Sequence, residues 1–289
     1  MAGAHPVLVD GAWRPSAGRE VFRAADPATG LFLPDAYPVS PWAEIDAALA
    51  AGRRAAAELA ALGPEPVALF LERLAGLIEG RKAELVAAAR AETALPAEPR
   101  LGSVELPRTL DQLRQAAAAC RDRSWRRATI DTGAGIRSMY GPLGGPVAVM
   151  GPSNFPFAYN AVGGGDFAAA LAAGNPVLAK AHPGHPTTTR LLAEAAAEAV
   201  AGAGLPRAAV QLLYHFGPED GLRLVAHPSV AATAFTGSRP SGLALKEAAD
   251  RAGRLIYLEM SSANPVFVLP GALEERGGGI AVELVQSCT

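Results

Sequence analysis

The chain has 289 residues, half of them hydrophobic, with 26 Lys and Arg against 28 Asp and Glu and a net charge of −2. That length holds one large α/β domain or two smaller ones, and interspersed charges leave no electrostatic footprint for nucleic acid. No apolar run reaches the roughly 20 residues of a bilayer span, the opening MAGAHPVLVDGAWRP lacks a signal-peptide layout, and Cys120 and Cys288 make no disulfide framework, so a soluble cytoplasmic chain is expected.

The first elements are two short strands in VLVDGAWRP around an Asp10-Gly11 turn, a pair that tolerates the positive φ of a tight hairpin. SPWAEIDAALAAGRRAAAELAAL then predicts a helix with Ser40 as N-cap, Pro41 as first helical residue and Glu44 as a first-turn acid. FLERLAGLIEG sets Phe70, Leu71, Leu74, Leu77 and Ile78 on one face at helical spacing. RKAELVAAARAE and LPRTLDQLRQAAAACRD continue the helical pattern, with Pro107 as a break or a start and Cys120 as a small buried residue. After WRRATIDTGAGIRSMYGPLGG the period changes: PVAVMG, PVLAKA, AVQLLYHF, VAATAFTG and RLIYLEM are apolar strands separated by helices. This alternation predicts βαβ units in an open, mainly parallel sheet, with the N-terminal helices packed on it as one domain over 1–289.

Ligands of such sheets bind beyond the C-terminal ends of the strands, where four stretches carry polar or glycine-rich sequence. In GPSNFPF, prolines hold Ser153 and Asn154 in a fixed loop; the Asn154 amide could stabilise an oxyanion or simply close an Asx-turn. In LAKAHPGHP, Lys180 is a compact cation for a ribose or phosphate, or a solvated lysine at a strand end. His182 and His185 lack a third ligand at metal-binding spacing, so no metal is expected. In FTGSRPSG, Gly237, Ser238 and Gly242 lie where a strand meets a helix N-terminus, a place for a phosphate, although G-x-G-x-x-G is absent. In IYLEMSSANPVFVLP, Glu259 stands in a run of apolar and small residues; if buried it suits general-base work, and otherwise it is an exposed strand-end acid.

Taken in order, GPSNFPF, GNPVLAKAHPGHP, FTGSRPSG and LEMSSANP resemble the aldehyde dehydrogenase superfamily, and within it the bacterial NADP-dependent and 2-oxoglutarate-semialdehyde dehydrogenases. The resemblance implies a Rossmann-like cofactor domain for NADP, with NAD as the alternative. It also implies a small aldehyde as substrate and a homo-oligomeric full-length enzyme. It assigns Asn154 to the oxyanion, Lys180 to the adenosine ribose, Gly237, Ser238 and Gly242 to the pyrophosphate, Ser153 and His182 to the cofactor, and Glu259 to activation of the hydrolytic water.

The family's nucleophile lies in a motif like GQFCT. Nothing like it precedes Cys288 in ELVQSCT, so the expectation is a helical Cys288, a nucleophile beyond Thr289, and no activity for this chain alone. The rival readings are a nucleotide- or partner-binding module without catalysis, and a related acyl-phosphate reductase. The Asn154 and Glu259 order argues against the reductase.

Overall fold

The computed structural model describes residues 3–288. Strands β1 (Val7–Val9) and β2 (Ala12–Arg14) pair antiparallel. Asp10 and Gly11 between them have φ of 52° and 72°, so both turn residues occupy the left-handed region, where Gly and Asp are tolerated best. The short strands β3 (Val21–Phe22) and β4 (Tyr37–Pro38) form a separate antiparallel pair.

A helical layer follows: α1 (Trp42–Ala61), α2 (Pro64–Gly80), α3 (Lys82–Thr93), an irregular helical stretch Ala97–Glu105, and α4 (Leu106–Asp122). Phe70, Leu71, Leu74 and Ile78 of α2 are fully buried, as their spacing predicts, while Leu77, expected on the same face, is half-buried at its edge. Removing one such side chain, as in Leu74→Ala, typically costs about 2–5 kcal/mol. Pro107 lies in the first turn of α4, where its missing N–H has no intrahelical partner to lose, and Cys120 is buried with its thiol donating to the Pro64 carbonyl at 3.3 Å.

Ser40 is not the cap of α1. Pro41 holds that position, its carbonyl accepting from the Glu44 N–H at 3.0 Å, so Ser40 lies one residue outside the helix, with its own N–H donating to the His215 carbonyl at 2.7 Å. Its hydroxyl is buried with no hydrogen-bond partner among the described residues. Glu44 is buried and accepts from Ser16 Oγ at 2.8 Å and the Ala17 N–H at 3.3 Å, tying α1 to the preceding loop. One exposed hairpin, β5 (Thr129–Asp131) with β6 (Ile136–Ser138), lies between the helices and the sheet.

The α/β portion runs β7 (Val147–Met150), α5 (Gly165–Ala172), β8 (Val177–Lys180), α6 (Pro186–Ala203), β9 (Val210–Leu213), α7 (Pro218–Val225), β10 (Ala232–Thr236), α8 (Arg239–Arg251) and β11 (Leu255–Glu259). The sheet order is β11-β10-β7-β8-β9-β1-β2, with β11 to β9 parallel and β1 and β2 antiparallel. The fold is mixed α/β with a mainly parallel sheet. Strands β7 and β9 are buried throughout, β7 as a continuous apolar run and β9 with one polar residue, Gln211, whose amide donates to the Ala48 carbonyl at 2.8 Å. Strand β11 departs from that expectation: it pairs only with β10, and its residues alternate between exposed and half-buried.

Helix α9 (Pro270–Cys288) follows, with a break at Arg276. The backbone is helical through Cys288, while the Cys288 thiol and Thr289 lie outside the described residues. Among the described residues, no helix is long and apolar enough to cross a membrane.

Candidate functional site

The order of the parallel strands reverses around β7, with β8 and β9 to one side and β10 and β11 to the other. Such a switch point opens a crevice beyond the strand ends. The register brings those ends into one row, pairing Met150 with both Lys180 and Phe235, and Thr236 with Glu259. Lys180 and Glu259 are three strand steps apart, about 14 Å, a span for an extended ligand rather than a compact one. Beyond the row lies a cleft of about 860 Å³. Every residue singled out in the four loop stretches lines it, except His185 and Gly242.

Asn154 is exposed in the loop after β7, and its side-chain amide makes no hydrogen bond among the described residues. An Asx-turn here would need the N–H of the residue two positions on. That residue is Pro156, which has none. The two amide donors are therefore open to a ligand. The loop itself is held tightly. His185, fully buried, contacts the Pro152 carbonyl through Nε2 at 2.8 Å. From the other side, Glu105 Oε1 accepts from the N–H groups of Phe157 at 2.8 Å and Ala158 at 2.9 Å. Arg100 pairs with Glu105 Oε2 at 2.5 Å and donates to the Asn154 carbonyl at 3.0 Å.

Lys180 ends β8 with its ammonium 5.9 Å from the centre of the Phe216 ring. Burial pushes that ammonium down to about 8, so it titrates near neutral pH. His182 is held neutral: burial first, then the neighbouring His185, Lys180 and His215, push it down to about 3. Its Nδ1 accepts from the Gly184 N–H at 3.0 Å, which leaves Nε2 as the donor of a neutral ring. His182 and His185 stack at 5.4 Å. The stack and these hydrogen bonds tie the Lys180 loop to the Asn154 loop.

At the start of α8, Ser238 is the N-cap and accepts from the Ser241 N–H at 3.4 Å, a long bond that leaves the first turn poorly satisfied. Gly237 donates to the Glu259 carbonyl at 3.0 Å. Gly242 lies under the cleft, where an added Cβ would stand 2.6 Å from Met260 Sδ and 3.3 Å from the Phe235 ring. It seats α8 against the sheet. Glu259 lies exposed at the end of edge strand β11, on the rim of the cleft. The burial considered for it is not found, because β11 has no neighbour on its outer side.

A model of the aldehyde dehydrogenase family matches residues 13–276. The chain belongs to the aldehyde dehydrogenase family. It is similar to alpha-ketoglutaric semialdehyde dehydrogenase 2 of Azospirillum brasilense, 43% identical over 235 residues, which cover 77% of this chain and 44% of that one. It is also 40% identical over 228 residues to the alpha-ketoglutaric semialdehyde dehydrogenase of Acinetobacter baylyi, covering 75% of this chain and 42% of that one. The chain thus matches less than half the length of these two relatives. Among solved structures, aldehyde dehydrogenase C of Pseudomonas syringae with NAD+ and octanal superposes with a TM-score of 0.80 at 25% identity, over 92% of this chain and 52% of that one. The NADP-dependent glyceraldehyde-3-phosphate dehydrogenase of Bacillus halodurans, complexed with NADP, does so with a TM-score of 0.80 at 25% identity, over 93% and 55%.

For a dehydrogenase of this family the cleft has the polar row but no described thiol. Cys120 is buried in α4 and bonded to the Pro64 carbonyl, and burial raises its thiol above the usual range. Three residues that build the site are missed in that role by the sequence reading. Arg100 and Glu105 lie about fifty residues from the loop they hold, within helical sequence. His185 draws notice only as a metal ligand, whereas its use is as a tether.

Proposed function

We propose that a protein carrying this segment, together with the further length its relatives have, oxidises an aldehyde to its carboxylic acid with NADP or NAD. The observation that carries this reading is the single cleft joining the unpartnered Asn154 amide, the Lys180 cation and the Glu259 carboxylate. The residues fit the dinucleotide: a cation without a carboxylate partner among the described residues, a poorly satisfied helix N-terminus at Ser238, and a neutral donor at His182. When bound, the nicotinamide supplies a hydride acceptor.

Lys180 holds the adenosine ribose through charge-assisted hydrogen bonds. Gly237 and Ser238 meet the pyrophosphate at the α8 N-terminus. A cysteine thiolate from the remaining length adds to the aldehyde carbonyl, and the Asn154 amide donates to the oxyanion so formed. Loss of the former aldehyde hydrogen as hydride to that acceptor would turn the adduct into a thioester, and Glu259 takes a proton from the water that hydrolyses it, releasing the acid and the thiol. Exposure on the rim gives Glu259 access to that water. We assign 2-oxoglutarate semialdehyde as the substrate, because the named activity of the two relatives described above is on that aldehyde.

The test is the rate of NAD(P)H formation by the completed enzyme, meaning this segment joined to its remaining length. It is measured with 2-oxoglutarate semialdehyde beside acetaldehyde. A kcat/KM at least about tenfold higher for the former, equivalent to about 1.4 kcal/mol, supports the assignment. Equal values contradict the substrate, and no reduction of either cofactor contradicts the activity.

The cofactor reading is that NADP is accepted at least as well as NAD. Three residues after Lys180 stands Pro183, on the wall of the cleft, so no carboxylate there opposes a 2′-phosphate. Like charges brought together in such a site cost several kcal/mol. Pro183→Glu should therefore lower the NADP-to-NAD ratio of kcat/KM by about tenfold or more. A strong NAD preference in the wild type, unmoved by the added glutamate, contradicts this account of the loop.

A further inference from the structure

The Asn154 loop has to place an amide without any bond to the amide itself. Prolines flank it at positions 152 and 156, and the side chain is exposed and unpartnered among the described residues. An oxyanion donor nevertheless has to stand within about 0.5 Å of its working position, because its effect depends on pre-organisation. Something outside the loop must fix the backbone that carries it.

The Arg100–Glu105 ion pair meets that requirement. Glu105 is 1% exposed, and both of its oxygens are used, one by two loop N–H groups and the other by Arg100. The guanidinium spans from this carboxylate to the carbonyl of Asn154, and its Cζ lies 4.4 Å from the centre of the Phe155 ring. One pair therefore grips residues 154, 155, 157 and 158, on both sides of Pro156. The contact at position 154 is on the residue that bears the amide. Satisfying the two orphan N–H groups would require only Glu105, so Arg100's reach to the Asn154 carbonyl needs a separate reason. A planar fork can serve the carboxylate and the carbonyl together, which a lysine ammonium cannot do in the same geometry.

We propose that Arg100 and Glu105 are positioning residues that set the Asn154 amide for the oxyanion, so that they act on the reaction through Asn154. The inference rests on the reading of Asn154 as the oxyanion donor. Neither residue touches the reacting atoms. Their substitution should therefore lower kcat without weakening the cofactor, and only while Asn154 is present.

The experiment uses the completed enzyme with Arg100→Met, Arg100→Lys, Glu105→Gln and Asn154→Ala, alone and with Arg100→Met and Asn154→Ala combined. Arg100→Met should lower kcat about 10- to 100-fold, since a displacement on the order of 1 Å is enough for such a loss. In the Asn154→Ala background the same substitution should change kcat less than about threefold, because the group it positions is gone. Arg100→Lys, the milder change if the methionine variant does not fold, should fall between wild type and Arg100→Met. Glu105→Gln should speed amide hydrogen exchange at Phe157 and Ala158 by about tenfold or more. Equal losses from Arg100→Met in both backgrounds overturn the proposal, as does unchanged exchange at those two amides. An inactive wild type would overturn the functional reading and with it this role for the pair, whereas an active wild type with equal losses overturns the role alone.

Discussion

Asn154→Ala in the completed enzyme is expected to lower kcat about 100- to 1,000-fold, the usual loss when one oxyanion donor is removed. The loss should appear in kcat and kcat/KM alike, because the amide meets a charge that develops only as the thiolate adds. Cofactor affinity should hardly move, since the proposed function gives the cofactor to Lys180 and the α8 N-terminus and not to Asn154. The substitution leaves the fold intact: the side chain is exposed and makes no internal hydrogen bond among the described residues. Stopped-flow measurement of NAD(P)H formation separates the cases. A slowed first turnover with an unchanged melting temperature is the expected result. A first turnover at the wild-type rate would remove Asn154 from the chemistry.

Glu259→Gln should act on the second half of the reaction. Loss of a general base typically costs about 100- to 10,000-fold, and here it should fall on hydrolysis of the thioester. The first turnover, seen as a burst of NAD(P)H, should persist while the steady-state rate collapses. The two variants are thus distinguished by where the loss falls: Asn154→Ala slows the burst, and Glu259→Gln spares it. The exposed position of Glu259 on the cleft rim fits a group that must take its proton from solvent-derived water. An unchanged steady state would mean that another base serves the site.

Much of the fold is legible in the residues, for identifiable reasons. A continuous apolar run such as VAVM, bounded by Pro146 and Gly151, has few alternatives to a doubly covered parallel strand, and it forms β7; VQLL forms β9, equally buried, with the Gln211 amide donating to the Ala48 carbonyl at 2.8 Å. The spacing of Phe70, Leu71, Leu74 and Ile78 likewise permits only a helix with one buried face. The β5–β6 hairpin is not legible in the same way. Ile130 and Ile136 are 71% and 55% exposed, so no buried face imprints a pattern on that stretch. Ser40 misleads because a preferred cap residue before a proline satisfies the local rule, while the Pro41 carbonyl accepts the first helical bonds, from Glu44 and Ile45, and so moves the cap one residue on. For Glu259 the residues leave burial and exposure open, and the exposed alternative holds because edge strand β11 lacks an outer neighbour.

The site divides along the same line. Residues directly after a strand can be found by position, which is how Ser153, Asn154, Lys180, Gly237 and Glu259 come to notice. Their supports cannot, since Glu105 reaches across 52 positions to the Phe157 N–H. One ambiguity was resolvable from sequence: with Pro156 two residues after Asn154, the Asx-turn has no N–H to use.

The most direct test of the central claim, that this cleft binds the nicotinamide cofactor through Lys180, is an equilibrium titration of the completed enzyme with NADP+ across pH. Burial holds the Lys180 ammonium at about 8, so below that value the lysine is charged and binding is strongest. Above it the proton is lost and the charge-assisted bonds to the ribose go with it. Bound cofactor favours the charged form, so the midpoint of the loss should lie somewhat above the value for the free enzyme. The account predicts saturable one-site binding that weakens as pH rises through this range. With Lys180→Met, binding should be weaker at neutral pH and lose this fall with pH. Binding of equal strength in the Lys180→Met variant, with the same pH dependence as wild type, would contradict it.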